Sequence, residues 1–248
     1  MIDSHTHINS ISTPNIESTI DLINKDVNIS SVINIGLNIS TSKEIVDISK
    51  TNKKIKCSIG IHPLYIENEE PEELYNLVTN DVVAIGEIGL DTTKPNLEEQ
   101  KKYLIKQIVI ANELKLPVII HANNTNKEII HIFETIVKPL YGCVFHCFQP
   151  DLETLKYLMD NNYYISFAGR ITYTTAKKSI EVLHAVDKDK FLIETDAPYL
   201  SIETRRNEPG KTAYLPVIAS TIAHELNMDL SDIDKITTEN TLRLFKRI

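Results

Sequence analysis

Six side chains of metal-ligating type stand at the ends of short apolar runs in this sequence. Two are histidines one residue apart, in IDSHTHINS near the N-terminus. Residues i and i+2 of an extended strand point to the same face, so both imidazoles would emerge side by side. One carboxylate lies in VVAIGEIGLD, one histidine follows PVII, another follows CVF, and an aspartate lies in LIETDAPYL. The six candidate metal ligands are His5, His7, Glu87, His121, His146 and Asp196.

Four imidazoles and two carboxylates are enough to hold two divalent ions that share a bridging carboxylate and a bridging water. Nitrogen-rich sites suit Zn²⁺ or Mn²⁺ better than Ca²⁺, and Mg²⁺ usually prefers more oxygen ligands. Two neighbouring cations can acidify the bridging water and stabilise the attacking and leaving oxygens of a displacement. The residues therefore predict one or two divalent metal ions (Zn²⁺, Mn²⁺ or Mg²⁺) and no organic cofactor.

Each of these residues also has a purely structural explanation. The histidine pair could simply mark the end of a strand, and Glu87 could belong to a buried ion pair, because glutamate is rarely buried without a partner. His121 and His146 could each satisfy an ordinary hydrogen bond, and Asp196 could cap the turn before Pro198. The structural explanation would require metal-ligating residue types at five strand ends by coincidence, so the set as a whole favours a metal site.

The elements that would position this set form a regular alternation. Short apolar runs alternate with longer amphipathic segments, which predicts strands and helices in turn. The predicted strands are MIDSHTH at the N-terminus, SVINIGL from Ser31, KIKCSIGIH from Lys54, VVAIGEIGL from Val82, PVIIHA from Pro117, CVFHCF from Cys143, YYISFAG from Tyr163 and FLIETDAP from Phe191. The predicted helices cover about residues 16–25, 40–51, 70–79, 96–115, 126–138, 151–161, 174–186 and 212–227.

Eight such units in 248 residues predict an α/β fold of the (β/α)₈ TIM barrel type. Active sites of this fold lie at the C-terminal ends of the strands, here called the mouth of the barrel, where all six candidate ligands would converge. An open doubly wound sheet is the alternative, but no glycine-rich phosphate motif follows the first strand. We expect a single domain over residues 1–248, with a helical tail from about residue 229 that closes the bottom of the barrel.

Composition limits the class of protein. No stretch approaches the roughly 18 apolar residues of a membrane-spanning helix, and the N-terminus lacks the plan of a signal peptide, so we expect a cytoplasmic protein with no membrane partner. The formal charge of −8 disfavours a surface that coats nucleic acid broadly. It does not exclude a phosphate-cleaving pocket, because bound cations reverse the local potential.

The remaining histidines and the cysteines fall outside this set. His62, in SIGIHPLYI, belongs to the mouth, where it is either a turn residue or a donor to substrate; the second role is favoured. Three further histidines lie within predicted helices, where surface or packing roles are expected: His131, His184 and His224. The odd number of cysteines, without metal-type spacing, predicts free buried thiols at Cys57, Cys143 and Cys147.

Seven strings together resemble one family. DSHTH, GIHP, VAIGEIGLD, LPVIIHA, FHCF, LIETDAPYL and RRNEP occur in the order found in the TatD-type metal-dependent deoxyribonucleases, over essentially the whole chain. The resemblance implies a (β/α)₈ barrel whose one- or two-metal site hydrolyses phosphodiester bonds in DNA. It assigns the metal ligands to the six residues above, with Glu87 as the bridging carboxylate. It also implies that His62 faces the substrate phosphate, that Arg206 binds substrate from the loop after the eighth strand, and that Arg205 assists.

The sequence departs from the family pattern around the mouth. HANNTN places Asn123 where family members commonly carry an arginine, which removes a group that could bind phosphate. HCFQP replaces HCFSG, and GLDTT replaces GLDYY, with loss of aromatic surface on which a base could stack. The loop YLSIETRRNEP also looks shorter than usual. These changes concern the substrate rather than the ligands.

The expected catalytic residues are Asp196, Glu87 and His62. In the predicted reaction Asp196 takes the proton from the attacking water, while His62 and Arg206 neutralise the charge that develops on the phosphate oxygens of a DNA substrate. One alternative keeps the metals and changes the bond, to an amide, ester or lactone of a small or tRNA-linked substrate. A second is a non-catalytic metal-binding protein. The oligomeric state is left open.

Overall fold

The computed structural model describes residues 1–11 and 15–248, in which eight strands alternate with helices. The strands are β1 (Ile2–Thr6), β2 (Ser31–Ile35), β3 (Ile55–Ile59), β4 (Val82–Asp91), β5 (Val118–Asn123), β6 (Cys143–Phe145), β7 (Tyr164–Phe167) and β8 (Phe191–Ile193). The α-helices of the described residues are α1 (Ile16–Lys25), α2 (Ile39–Thr51), α3 (Leu97–Leu114), α4 (Asn126–Thr135), α5 (Leu152–Asp160), α6 (Lys177–Ala185), α7 (Leu215–Leu226) and α8 (Leu230–Leu244).

The eight strands form one parallel sheet in the order β1 to β8. The chain beyond β8 then runs beside β1 and closes the sheet. The amide of Asp196 donates to the carbonyl of His5 at 2.9 Å, and the amide of His7 donates to the carbonyl of Ala197 at 2.7 Å. The predicted (β/α)₈ TIM barrel is therefore confirmed, and the open doubly wound alternative is wrong.

Two apolar cores hold the barrel together. The larger one lies between the sheet and the surrounding helices, and includes Val32 and Ile85 of the strands and Leu104 of α3. The smaller one fills the interior of the barrel and includes Ile33 of β2 and Leu192 of β8. Successive strand residues alternate between these cores, which is why the strands read as nearly continuous apolar runs.

The C-terminal helix closes the lower end of the barrel, as expected. Leu244 at the end of α8 and Phe245 just beyond it belong to the interior core. Asn240 of α8 donates from Nδ2 to the carbonyls of Lys188 and Phe191, both at 2.9 Å. These contacts fasten the helix at the start of β8, the end opposite the mouth.

The connection between β3 and β4 differs from the prediction. A helix was expected at 70–79, and the structure has a 3₁₀-helix over Pro71–Leu77. Pro71, Leu74 and Leu77 are three residues apart, which places them on one side of a helix with three residues per turn.

The cysteines, the helix lengths and the single sheet bear on three further predictions. All three cysteines are free, with Cys57 and Cys143 buried and Cys147 partly exposed. None of the helices in the described ranges is both long and apolar enough to cross a membrane. All eight strands share one sheet, which is compatible with a single domain over residues 1–248; that domain assignment stays a prediction.

A buried side chain adds to the backbone hydrogen bonds where the barrel closes. Asp3 of β1 is fully buried, and its Oδ1 accepts from the amide of Thr195 at 2.9 Å. Its Oδ2 accepts from the Thr195 hydroxyl at 2.6 Å. The segment after β8 is therefore held to β1 by side-chain as well as backbone hydrogen bonds.

We expect the substitution Asp3→Ala to destabilise the metal-free protein by about 2–4 kcal/mol, because it leaves the buried amide and hydroxyl of Thr195 without their hydrogen-bond partner. Urea unfolding near pH 5.5 checks this, since burial raises the pKa of the Asp3 carboxyl to about 7 and the neutral form then dominates. Asp3→Asn, which keeps an acceptor, should lose less. Asp21→Ala, on the exposed face of α1, should stay within about 0.5 kcal/mol of the parent. Equal effects at positions 3 and 21 would contradict the role of Asp3.

Candidate metal centre at the mouth of the barrel

The structure brings all six predicted ligands together at the mouth. They come from the ends of five strands or from the residues directly after them, and most are buried because the barrel wall surrounds them. Their positions are His5 in β1, His7 just after it, Glu87 in β4, His121 in β5, His146 just after β6 and Asp196 beyond β8. We refer to these residues as the six-residue cluster.

The Glu87 carboxylate lies between the two halves of the cluster. Its Oε1 atom is 2.7 Å from Nδ1 of His121 and 2.7 Å from Nε2 of His146. Its Oε2 atom is 3.4 Å from Nε2 of His5 and 3.7 Å from Nε2 of His7. A carboxylate whose two oxygens face two different pairs of imidazoles has the arrangement expected of a bridging ligand.

The first half of the cluster consists of His5, His7 and Asp196. The two Nε2 atoms are 3.1 Å apart, and Oδ1 of Asp196 lies 3.7 Å from Nε2 of His5 and 3.5 Å from Nε2 of His7. Two ligands bound tetrahedrally to one Zn²⁺ at about 2.1 Å are about 3.4 Å from each other. The observed spacings therefore fit side chains that share a cation.

The second half consists of His121 and His146, each of which has a further carboxylate behind it. Nε2 of His121 is 2.9 Å from Oδ2 of Asp91, and Nδ1 of His146 is 3.3 Å from Oε1 of Glu194. A ring nitrogen that donates to a carboxylate leaves the other nitrogen free to bind a cation. In the first half, by contrast, Nδ1 of His5 and Nδ1 of His7 have no hydrogen-bond partner in the described part of the chain.

Asp91 and Glu194 are the residues that the sequence predictions missed. Asp91 follows Glu87 by four residues in β4, and Glu194 precedes Asp196 by two. The same spacing argument that grouped His5 with His7 could have found both, because residues two or four apart in a strand share a face. Both carboxylates are buried. Asp91 orients His121 through its Nε2 atom, and Glu194 orients His146 through its Nδ1 atom.

A close approach of two strands makes the contact of Asp91 with His121 possible. Gly89 lies between Glu87 and Asp91 in β4, and a Cβ at Gly89 would overlap the carbonyl oxygen of His121. Only glycine lets β4 and β5 come this near. The imidazole of His121 can then lie between both carboxylates of β4.

The hydrogen bonds of His62 make its Nε2 atom a hydrogen-bond donor. Its Nδ1 accepts from the amide of Leu64 at 3.1 Å, so the neutral ring carries its proton on Nε2. That Nε2 lies 3.5 Å from Oε1 of Glu87, at the edge of the six-residue cluster. A nitrogen that carries a proton is a poor metal ligand and a good donor to an oxygen, as expected for a group that faces substrate.

Arg205 and Arg206 lie on the loop after β8 in exposed ion pairs. Arg205 donates from Nη1 to Glu208 at 2.9 Å. Arg206 donates from Nη2 to Glu203 at 2.5 Å, and its guanidinium lies 4.2 Å from the centre of the Tyr173 ring. The structure therefore does not bring these two arginines into contact with the six-residue cluster, and their substrate-binding role stays a prediction.

The departures after β5 and β6 form one hydrogen-bonded chain. Asn123 Nδ2 lies 3.3 Å from each carboxylate oxygen of Asp91, and Gln149 donates from Nε2 to Oδ1 of Asn123 at 3.2 Å. Asp91 in turn faces His121. Asn123 thus supports a candidate ligand through Asp91 and provides no positive charge for a phosphate.

The carboxylates of the cluster are held in their ionised form by the histidines. Burial opposes ionisation of Glu87, but the charge of His146 and the hydrogen bonds with His121 and His146 outweigh it and hold the pKa of the carboxyl well below its usual range. Burial opposes ionisation of Asp196 too, and the two histidines of the first half lower its pKa. Both groups are therefore anionic at neutral pH.

The histidines respond to their surroundings in opposite directions. Burial opposes protonation of His121, but hydrogen bonds with Asp91 and Glu87 outweigh it and raise the pKa. The pKa of His146 is raised well above its usual value, because Glu87 and Glu194 outweigh burial in the same way. For His5, burial and the charge of His146 lower the pKa. His121 and His146 thus retain protons more firmly than His5 does.

The donor set fits divalent cations. It offers imidazole nitrogens and carboxylate oxygens, as Zn²⁺, Mn²⁺ and similar ions require. The candidate ligand atoms of His5, His7 and Glu87 lie within 4.8 Å of one another. In the described part of the chain, no lysine or arginine lies within ion-pair distance of Glu87 or Asp196. A bound cation would therefore supply positive charge beside these two carboxylates.

The sequence matches a family model described as TatD related DNase over residues 2–246. An uncharacterized metal-dependent hydrolase of Bacillus subtilis (strain 168), YabD, is 31% identical, and the alignment covers 99% of this chain and 99% of the relative. The 3'-5' ssDNA/RNA exonuclease TatD of Shigella flexneri serotype 5b is 30% identical over 89% of each chain. The range matched by the family model contains all six residues of the cluster.

A solved structure supports the architecture. The structure of YJJV, a TatD homolog from Escherichia coli K12, resembles this one with a TM-score of 0.90 and 23% sequence identity, over 99% of this chain and 98% of that chain. At this level of identity the likeness concerns the fold.

We expect Zn²⁺ binding to release protons and to weaken as the pH falls from about 8 to about 6. The raised pKa values of His121 and His146 let both rings keep a second proton that the cation must displace. Each displaced proton lowers the apparent association constant by up to about tenfold per pH unit. Calorimetry in buffers of different ionisation enthalpy measures this release, and His131→Gln, on the exposed face of α4, is the matched control. An affinity that does not change with pH would contradict the expectation.

We expect Asp91→Asn to lower the affinity for Zn²⁺ roughly 10- to 100-fold, because the negative charge behind His121 is lost while the shape of the side chain is kept. Asp151→Asn makes the same change at the start of α5 and should leave the affinity at the parent value. Competition titrations with a chelator measure both variants. If both bind zinc equally well, Asp91 does not support the metal centre.

Proposed function

This chain belongs to the TatD-related DNase family and is a metal-dependent hydrolase, and on that premise we propose that it cleaves phosphodiester bonds of DNA. The observation that carries the proposal is the shared carboxylate of Glu87, whose two oxygens face two sets of imidazoles. Phosphodiester cleavage needs charge stabilisation on both the attacking and the leaving oxygen, and a site with two halves suits that need. A relative named as a single-stranded DNA and RNA exonuclease supports the same substrate class.

Each half of the six-residue cluster has a distinct role in this proposal. His5, His7 and Asp196 would hold one divalent cation, His121 and His146 would hold the second, and Glu87 would bind both. Bound cations lower the pKa of water and neutralise charge that builds up on the phosphate. Asp91 and Glu194 keep the rings of the second half oriented by accepting their outer protons.

Asp196 is the group we assign to proton transfer. It is 8% exposed at the mouth, and its low pKa leaves it ionised and able to accept the proton of an attacking water. Its backbone is fixed by the bond from its amide to the carbonyl of His5. The carboxylate therefore has a set position beside the two histidines of the first half.

His62 and the two arginines of the loop after β8 are assigned to the substrate phosphate. Nε2 of His62 is a donor whose present neighbour is an oxygen of Glu87, so an oxygen of the phosphate could receive the same hydrogen bond. Arg205 and Arg206 are exposed and paired with glutamates three residues away. Exposed pairs of this kind are screened by solvent and stabilise a protein only weakly, so substrate could displace the glutamates.

A second candidate function has specific support. The formal charge is −8, and Asn123 occupies the position where an arginine could have bound phosphate. Both features suit a small uncharged substrate better than a polyanion. The same metal centre would then hydrolyse an amide, ester or lactone, because polarised carbonyls need similar help.

We expect the purified protein to cleave a labelled single-stranded oligonucleotide with Mg²⁺, Mn²⁺ or Zn²⁺ and not after removal of metal. Asp196→Asn should lower kcat about 10²- to 10⁴-fold, because the proton acceptor is lost. Asp160→Asn, at the exposed end of α5, should retain full activity. Gel analysis of the products measures cleavage, and a panel of esters, lactones and amides is assayed with the same cations.

The outcomes separate the two candidates. Turnover of the ester or amide panel alone would overturn the nuclease proposal and favour the second function. Full nuclease activity in Asp196→Asn would overturn the assignment of Asp196. Metal binding without turnover of any substrate would point to the non-catalytic alternative.

A further inference from the structure

Two tyrosines expose their rings beside the six-residue cluster. Tyr65 follows β3 and is 46% exposed, and Tyr199 follows β8 and is 55% exposed. The chain is poor in such groups, with aromatic residues at 6% and no tryptophan. Both tyrosines lie at the mouth, in loops that begin at residues of the candidate site.

Tyr199 is fixed against the first half of the cluster. Its ring lies edge-to-face with the ring of His7, with 4.9 Å between the centroids. Its amide donates to the carbonyl of Asp196 at 2.8 Å, and its hydroxyl bonds to Oγ of Ser10 at 3.2 Å. Contacts at the backbone, the ring edge and the hydroxyl hold the side chain while about half of its surface stays open.

Tyr65 has the same relation to His62. It ends the 3₁₀ turn Pro63–Tyr65, and its amide donates to the carbonyl of His62 at 2.9 Å. The centres of the two rings are 5.8 Å apart. Lys94 braces this turn by donating from Nζ to the carbonyl of Leu64 at 2.6 Å. Tyr65 therefore adjoins the donor that we assign to the substrate phosphate.

The two tyrosines flank the same carboxylate. Tyr199 contacts His7, whose Nε2 lies 3.7 Å from Oε2 of Glu87. Tyr65 adjoins His62, whose Nε2 lies 3.5 Å from Oε1 of Glu87. A substrate held at Glu87 would have an aromatic surface on the β3 side and another on the β8 side.

The loop after β4 begins with Thr92 and Thr93, which add no aromatic surface. Thr92 and Thr93 bond instead to Asn123 and Asp91. The open aromatic surface of this mouth therefore includes that of the loops after β3 and β8. Flat rings with an open face and a fixed edge are the groups that stack on unpaired bases.

We propose that Tyr65 and Tyr199 form the surface on which an unpaired nucleobase next to the scissile phosphate stacks. This inference rests on the proposed nuclease function and names its substrate as nucleic acid with an unstacked base. Every base has a flat face, so the surface selects single strands over duplexes without selecting a sequence. A base inside a duplex is already stacked on its neighbours and gains little from a tyrosine.

The test compares two single-stranded substrates of equal length and charge. One is an oligothymidylate, and the other carries tetrahydrofuran abasic units in place of every nucleoside. We expect the parent protein to cleave both, with KM at least about fivefold lower for the substrate that carries bases. Tyr65→Ala should raise KM for oligothymidylate by at least about fivefold and leave KM for the abasic substrate unchanged. Tyr65→Phe and Tyr199→Phe, which keep the rings, should retain the preference.

Two controls accompany the variants. Tyr141→Ala removes a tyrosine that is 41% exposed just before β6, at the opposite end of the barrel, and should behave as the parent does. Zinc content is measured for Tyr199→Ala, because the ring contacts His7. A loss of metal in that variant assigns its defect to His7, and the decision then rests on Tyr65→Ala and the two phenylalanine variants.

The outcomes distinguish this inference from the proposed function. If the parent cleaves neither substrate, the nuclease proposal fails and the stacking surface fails with it. If the parent cleaves both with equal KM, or if Tyr65→Ala changes nothing, the nuclease function stands and the stacking surface is overturned. Loss of the preference in the phenylalanine variants would likewise overturn it, because the rings remain.

Discussion

The carboxylate of Glu87 is buried at 3% exposure, and in the described residues its ion-pair partners are histidines alone. A buried anion without a lysine or arginine is costly unless other groups compensate its charge. Neutral imidazoles compensate it only in part, and protonated ones repel one another. A divalent cation at the mouth would compensate the remaining negative charge. The histidines can surround Glu87 because five strands end at the same height around it.

Most of the fold and the candidate ligands could be predicted from sequence because both follow from short periodicities. Apolar runs alternate with amphipathic segments, and ligand-type residues stand where those runs end. The supporting carboxylates Asp91 and Glu194 obey the same two-residue spacing and could have been found. The pairing of Arg206 with Glu203 could not, because it depends on how an exposed loop folds, and no periodicity constrains that. The 3₁₀ form of Pro71–Leu77 depends likewise on tertiary packing, here against α2 and α3.

The positions that depart from the family pattern show how a metal site can stay intact while its surroundings change. Asn123 and Gln149 form a neutral chain that ends at Asp91 and so reaches His121 from behind. The threonines after β4 also bond to this neighbourhood. In our proposal, recognition of the substrate then falls to the loops after β3 and β8.

The closure of the barrel between β1 and the segment after β8 has a consequence for assembly of the protein. His5 and His7 are among the first residues to be synthesised, and Asp196 comes almost two hundred residues later along the same chain. The first half of the metal centre therefore exists only when the two ends of the sheet have met. A cation held there would bind the closed form and not the open chain, and would stabilise closure by mass action. Metal binding in the first half would thus require the closed barrel, because a chain that ends before β8 lacks Asp196.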